Sequence, residues 1–345
     1  MIVTSLVVVV ILLALFFTYT NGFQDGSSVT AAAIASRAMT PLQAVVVVSL
    51  AELAGALFGG SAVAGTIQGI TSWPARVDLL PVLISGLVAA IAWNYITRFL
   101  RIPSSSTHAL VGGVVGALYA AGGSEFIIWG HPDVLHPTGI WKLGIALFMS
   151  PLVGFVAGSV VFMISTLLLM HATMRVTVPL KLLQWPVTAV LAFAHGANDP
   201  QKSMGIIMLA LYAAGMVSVH GIPWYVHLAS GCAMMAGVAS LAPGIVKRVG
   251  SGIYKMRSLH ALSAEIASAA VVLFGSITGG PVSASQVISC SVMGVGSSVR
   301  FKGVHWLVAK DMLLAWFMTI PCAALLSWAL HALLVNRLNL LLPKG

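Results

Sequence analysis

Apolar residues run through this chain in blocks long enough to cross a bilayer. Such runs recur at about 2–20, 42–68, 79–99, 143–169, 186–213, 224–246, 260–278 and 311–333. Each is close to or above the roughly 20 residues that a spanning helix needs. Two further runs, about 104–121 and 282–299, open on Pro-Ser motifs. The ten-residue alternation of an outer-membrane barrel is absent. The pattern predicts an all-α integral membrane protein forming a single transmembrane domain over 1–345.

Polar motifs interrupt this pattern twice in the same order. "TNGFQDGSS" at 20–28 aligns with "AHGANDPQK" at 194–202, pairing Gly22 with Gly196 and Asp25 with Asp199. About 80 residues further on, "PSSSTHALVGGVVG" at 103–116 aligns with "PVSASQVISCSVMG" at 281–294. Nearly equal offsets describe an internal duplication, with repeat one at about 1–122, repeat two at about 182–300 and a closing helix at 305–335. The halves are joined by the basic segment at about 171–184.

Charge sets their orientation. Only 7% of residues are charged, and the net charge is +9. There is no long soluble segment on which that excess could meet nucleic acid. Arg175 and Lys181, the group Lys247, Arg248, Lys255 and Arg257, and the group Arg300, Lys302 and Lys310 fall in short connections, which the positive-inside rule assigns to the cytoplasm. The connections at 122–140 and 214–223 then face outward. Repeat two therefore runs inverted to repeat one, as in many secondary transporters, whose ligands bind where interrupted helices meet near the midplane. The first apolar run lacks a basic n-region and a cleavage site, so it reads as a retained helix. Cys232, Cys290 and Cys322 stand singly and read as buried small hydrophobes. His131, Asp133 and His136 lack metal-ligand spacing and read as a polar external loop.

The motifs define candidate chemistry. Pro103 ends one helix, and Ser104, Ser105, Ser106 and Thr107 stand where the next begins, with hydroxyl and free N–H donors at a positive helix end. Ser283, Ala284, Ser285 and Gln286 offer a second such end, and two ends converging can surround an oxyanion. Asp25 with Gln24, and Asp199 with Asn198, form hard-oxygen sites for Na⁺ or carboxyls that carry H⁺. Gly22 and Gly196 permit helix unwinding or close backbone approach. Ser28, Glu52, His108, Lys202 and Glu265 are accessory candidates; Glu52 and Glu265 read as coupling carboxylates or interhelical hydrogen bonders, Lys202 as a group that neutralises Asp199, approaches the anion or forms a plain structural pair, and His108 as a group that titrates near neutral pH or packs through hydrogen bonds. His195 is open to the same two readings.

"NGFQD", "PSSSTHALVGG", "AHGANDPQKSMGII" and "PVSASQ", followed by "GVGSSVR", resemble the inorganic phosphate transporter (PiT) family over nearly the whole chain. "HGANDPQKSMGII" resembles its bacterial branch. The resemblance implies an inverted-repeat carrier in the inner (cytoplasmic) membrane, homodimeric in its lipid bilayer, importing inorganic phosphate with H⁺ or Na⁺ and needing no cofactor. It also implies an anion site between the two hairpin tips and cation sites at the motif aspartates. Departures are visible: Gln24 and Ser28 replace asparagines of the usual first motif, Ala284 and Gln286 replace a hydroxyl residue and a histidine, and Arg98 and Arg101 stand where a Trp-like residue and a glycine are more usual. Sulfate or a metal–phosphate complex stays open as the cargo, and a channel or a membrane-embedded enzyme as the class. An enzyme is disfavoured because one catalytic set does not require the same motif in both halves.

Overall fold

The computed structural model describes residues 2–73, 78–102, 104–133, 136–217 and 221–341, with side chains as far as 335. Pro103, expected to break the chain before the first hairpin tip, lies outside the described residues. Thirteen α-helices appear among those described. The first six are α1 (Ile2–Ala35), α2 (Pro41–Phe58), α3 (Ala62–Gln68), α4 (Leu79–Phe99), α5 (Ser106–Gly122) and α6 (Gly139–Leu168). The remainder are α7 (Thr177–Gly196), α8 (Asp199–Ala213), α9 (Trp224–Ala239), α10 (Pro243–Lys247), α11 (Ser258–Thr278), α12 (Ala284–Arg300) and α13 (Trp306–Leu341). The order recurs. The pair α7 and α8 answers to α1, and α9 through α13 answer to α2 through α6. Eight of the helical segments are long and apolar enough to cross a membrane. Leu12, Leu152, Val156, Met163 and Leu325 present exposed apolar side chains, as lipid-facing positions require.

The halves are held together by exchange. Helix α1 packs on α9 and α7 on α2, while α13 packs on α5 and α6 on α12. Apolar side chains gain little by leaving lipid for one another, so such contacts rest on close backbone approach at small residues. A Cβ on Gly237 would run into the Tyr19 carbonyl, and one on Gly55 into the Phe193 carbonyl. Gly22 and Gly196 sit equally close to Met234 and Glu52. Gly112 and Gly116 of α5 meet the backbones of Ile320 and Ala324 on α13, and Gly154 and Gly158 of α6 meet Val287 and Ser291 on α12. Corresponding contacts are thus made twice, once in each direction.

Loop contacts define the two faces. Ser72 N donates to Phe126 O at 3.1 Å and Ile128 N to Ile70 O at 3.0 Å, so the hairpin α4–α5 leaves and rejoins one face. The hairpin α11–α12 opens after Arg257 and closes at Arg300, on the face where His305 N donates to Ile253 O at 2.9 Å and Arg248 pairs with Asp311. The two hairpins enter from opposite faces, in agreement with the inverted loop charges.

Several boundaries differ from the apolar pattern. The run 2–20 continues as α1 straight through NGFQD to Ala35, so Gly22 serves close approach and not unwinding. Its twin does break: α7 ends at Gly196, and Asn198 precedes α8. The runs 42–68 and 224–246 each split, the second bending by 70° between α9 and the α10 region. Hydrophobicity continues through these breaks, which is why periodicity alone did not find them. Cys290 is buried as expected, whereas Cys232 is exposed and Cys322 half-buried.

Gly116→Ala should lower the unfolding free energy by about 1–3 kcal/mol, since its Cβ has only backbone to displace. Gly144→Ala, in α6 with nothing within 4 Å of the added atom, should gain roughly 0.5–1 kcal/mol from helix propensity. Thermal unfolding in detergent ranks the two; an equal effect at both positions would remove the interlock as the stabilising contact.

Candidate functional site

The two hairpin tips meet. Ser285 Oγ donates to Ser104 O at 3.0 Å, and Thr107 Oγ1 to Val282 O at 3.4 Å. Ser105 caps α5 by accepting from His108 N at 3.2 Å, and Ser104 is fixed by Thr319 at 3.0 Å and by Trp93. In the second tip, Ser283 Oγ lies 3.4 Å from Ser285 Oγ, and Ala284 opens α12. All of these residues are buried except Trp93, which is half-buried.

Lys202 ties the tips to the aspartate motif. Its ammonium donates to Asp199 Oδ1 at 2.6 Å, Thr107 Oγ1 at 2.5 Å and Val282 O at 3.1 Å, which occupies all three of its hydrogens. The lysine, 0% exposed, has nowhere to send its charge except to this carboxylate and the two tips. Asp199 Oδ2 accepts from Asn21 Nδ2 at 2.8 Å and lies 3.4 Å from His195 Nε2, while His195 Nδ1 is 2.7 Å from Glu52 Oε1.

Asp25 completes the cluster. Ser106 Oγ is 2.6 Å from Asp25 Oδ2 and 2.8 Å from Asn21 Oδ1. A polar chain therefore runs Glu52–His195–Asp199–Asn21–Ser106–Asp25, hydrogen-bonded at every step except the 3.4 Å approach of His195 Nε2 to Asp199, with contributions from α1, α2, α5, α7 and α8. Ligand atoms of Asp25, His195 and Asp199 lie within 4.8 Å of one another. Asp25 Oδ1, Gln24 Oε1 and Asn198 Oδ1 are buried without a hydrogen-bond donor. The amide nitrogens of those two residues are committed: Gln24 Nε2 to Thr97 and Ile102 O, Asn198 Nδ2 to Ser276 and Gly280 O. Their carbonyl oxygens are thereby fixed in direction.

Charge in this cluster does not balance among the described residues. Asp199 has Lys202, and Glu52 has His195; Asp25 has no basic side chain within ion-pair distance. Ser106 carries one hydrogen and faces two acceptors, so the cluster lacks one positive or donating group at Asp25.

Not every candidate belongs here. Glu265 accepts from Thr188 at 3.2 Å between α11 and α7 and makes no bond to the cluster. His108 and Gln286, 3.5 Å apart, line an apolar cavity of about 380 Å³ with Phe148 and Trp316. Ser28 is buried on α1 with its hydroxyl unpartnered. Asn21 was missed. It stands opposite His195 when the duplicated motifs are aligned, and that pairing was the available signal.

Against known families, the profile described as the phosphate transporter family (PHO4) matches residues 21–180 and 170–327. The chain belongs to the phosphate transporter family. It is 36% identical to a probable low-affinity inorganic phosphate transporter of Bacillus subtilis (strain 168), covering 93% of this chain and 95% of the relative. A protein of the same description from Rhizobium meliloti (strain 1021) is 34% identical over 93% and 94%. A putative phosphate permease of Thermococcus kodakarensis is 26% identical over 91% and 94%. Among solved structures, a sodium-dependent phosphate transporter superposes with a TM-score of 0.85 at 22% identity, over 96% of this chain and 99% of that one, and shares the fold. Members of the family are transporters, not enzymes.

Asn21→Ala removes the donor to Asp199 and the acceptor of Ser106 together. It should cost about 1–3 kcal/mol in unfolding free energy, the range for leaving buried polar partners unsatisfied. Ser124→Ala, in the connection after α5, should change stability by less than about 0.5 kcal/mol. Equal stability of the Asn21 variant and the parent would break the chain at its middle.

Proposed function

We propose that this protein imports inorganic phosphate across the cytoplasmic membrane as a homodimeric secondary transporter, with a cation bound at Asp25 travelling alongside the anion. The observation that carries this reading is the meeting of two inverted hairpin tips over a cluster with one unbalanced carboxylate. The tips supply hydroxyls and helix-start N–H groups, the donors that suit a tetrahedral oxyanion. Phosphate would replace the bonds that Ser104, Ser105, Ser106, Thr107, Ser283 and Ser285 now make to one another and to their neighbours. Family membership and the names of the relatives point to the same cargo.

Anion and carboxylate cannot share a low-dielectric interior without compensation. Lys202 supplies one permanent positive charge, to Asp199. Asp25 takes the exchangeable one. A proton fits Asp25 itself, whose Oδ1 is buried without a donor and would carry the hydrogen. Na⁺ is the second reading, favoured by the undonated oxygens Asp25 Oδ1, Gln24 Oε1 and Asn198 Oδ1, which have the hardness that an alkali cation selects. We take H⁺ as the coupling ion because His195 and the Lys202 ammonium stand close to where Na⁺ would sit.

Proteoliposome uptake of ³²P-phosphate decides these points. With Na⁺ replaced by choline at fixed pH, accumulation should persist under an imposed proton gradient; its loss would assign Na⁺. Asp25→Asn should abolish accumulation against a gradient while leaving phosphate exchange detectable, and undiminished accumulation would end the coupling role. Sulfate in excess should leave uptake intact. Strong competition would make the cargo a general oxyanion.

A further inference from the structure

Two of the helix-ending turns in the first half carry arginine where the second half carries glycine. After α1, Arg37 N donates to Ile34 O and Ala38 N to Ala33 O; after α8, Gly215 N donates to Tyr212 O and Met216 N to Leu211 O. After α4, Arg101 N donates to Arg98 O and Ile102 N to Thr97 O; after α11, Gly279 N donates to Ser276 O and Gly280 N to Gly275 O. The turns are the same turns. Their residues have φ of +58° and +57° at Arg37 and Arg101, against +67° and +71° at Gly215 and Gly279. Among the described residues those two arginines are the non-glycine positions with positive φ. An L side chain occupies this conformation at a cost that glycine does not bear, which is why helices commonly end on glycine.

Both arginines face the same place. Arg101 lines a cavity of about 470 Å³ with Arg98 and Lys247, and Arg37 lines a neighbouring one of about 710 Å³ with Lys247 and Lys255. No acidic side chain is among the residues lining either. Arg98 is held ready: its guanidinium donates to Ser240 O at 3.1 Å and rests 4.0 Å from the centre of the Phe23 ring, which leaves further N–H groups unspent. Arg101 lies across Gly244, where a Cβ would come within 2.9 Å of its stem. In the other half the matching contact is Gly279 against Ala62, with Thr66 Oγ1 donating to Gly279 O at 2.7 Å. The cavity beside α3 is lined by Ser61, Gln68, Thr71 and Tyr212, with no basic residue. One duplicated turn thus carries a small residue against Ala62, and the other carries a cation beside a cavity lined by basic side chains.

We propose that Arg98, Arg101 and Lys247 form a binding site for a phosphate group where the first hairpin tip meets the basic connection, distinct from the hydroxyls of the two tips. Guanidinium pairs hold phosphate oxygens through charge-assisted bonds with fixed geometry, and the lysine adds a movable charge. The site adjoins the tip hairpin, because Ile102 O and Thr97 beside it accept from Gln24. The phosphate group has two sources with the same chemistry, free inorganic phosphate and the headgroup of an anionic lipid. The assignment holds whether or not the tip site carries phosphate.

Equilibrium dialysis with ³²P-phosphate and native mass spectrometry with phosphatidylglycerol or phosphatidylcholine test it on the purified full chain. Arg101→Gly installs the residue of the matching turn, so folding is preserved or improved; Lys247→Gln is the second variant. If the source is free phosphate, both variants should weaken a second class of phosphate binding by about tenfold, equivalent to about 1.4 kcal/mol. If it is lipid, both should lose retention of phosphatidylglycerol over phosphatidylcholine by a similar factor. Unchanged binding of both ligands in both variants overturns the site. So does an equal loss in Arg248→Gln, whose charge is already paired with Asp311, because that would reduce the effect to general surface charge.

Discussion

A lysine with no exposure to solvent sits where the two halves of this protein meet, and its three hydrogens go to a carboxylate, a hydroxyl and a carbonyl. Asp199, Thr107 and Val282 come from α8, from the start of α5 and from the tip before α12. A single ammonium group therefore binds both inverted hairpins to the aspartate motif. Breaking one partner of a buried pair leaves an uncompensated charge, at about 3–5 kcal/mol. No other charged contact in the described residues reaches both tips.

Around that group the helices are arranged so that the chain cannot be divided at its middle. Each half lends its closing helix to the other's hairpin and its first helix to the other's second. Glycines at the crossings let backbones touch, which in lipid replaces the hydrophobic drive. Such an interlock has two consequences. It brings motifs 174 to 178 residues apart into one polar chain, and it makes relative movement of the halves a sliding of closely packed backbones.

Much of this was legible in the chain itself. Run length gave the membrane helices, the two offsets gave the duplication, and loop charge gave the inversion; Asp25, Asp199, Ser106, Thr107 and Lys202 were marked by being polar where polarity is costly. The break after Gly196 was one of the two readings of that glycine, whereas those after Phe58 and Ala239 were not legible, because apolar composition continues across them and the capping is done by distant residues. Gln201 accepts from Val63 and Ala64 at the start of α3, and Ser27 from Ala242 ahead of α10. Asn21 and His195 were underread for a related reason. Their roles exist only once α1 and α7 lie side by side, and single residues on separate helices carry no periodic signal. Glu265 left both of its readings open for the same reason: a buried carboxylate has the same appearance in sequence whether it joins the cluster or, as here, accepts from Thr188 on a neighbouring helix.

Lys202 and Asp199 lie on the same helix, so the joint between the halves is the bond from the Lys202 ammonium to Thr107 of the first hairpin tip, and a double-mutant cycle measures that joint directly. Thr107→Val removes only the hydroxyl that accepts from Lys202, Lys202→Met removes the ammonium, and each single variant breaks the bond that the double variant also lacks. The two losses in unfolding free energy should therefore be less than additive, with a coupling of about 1–3 kcal/mol between the two positions. Losses that simply add would mean that the pair holds nothing together.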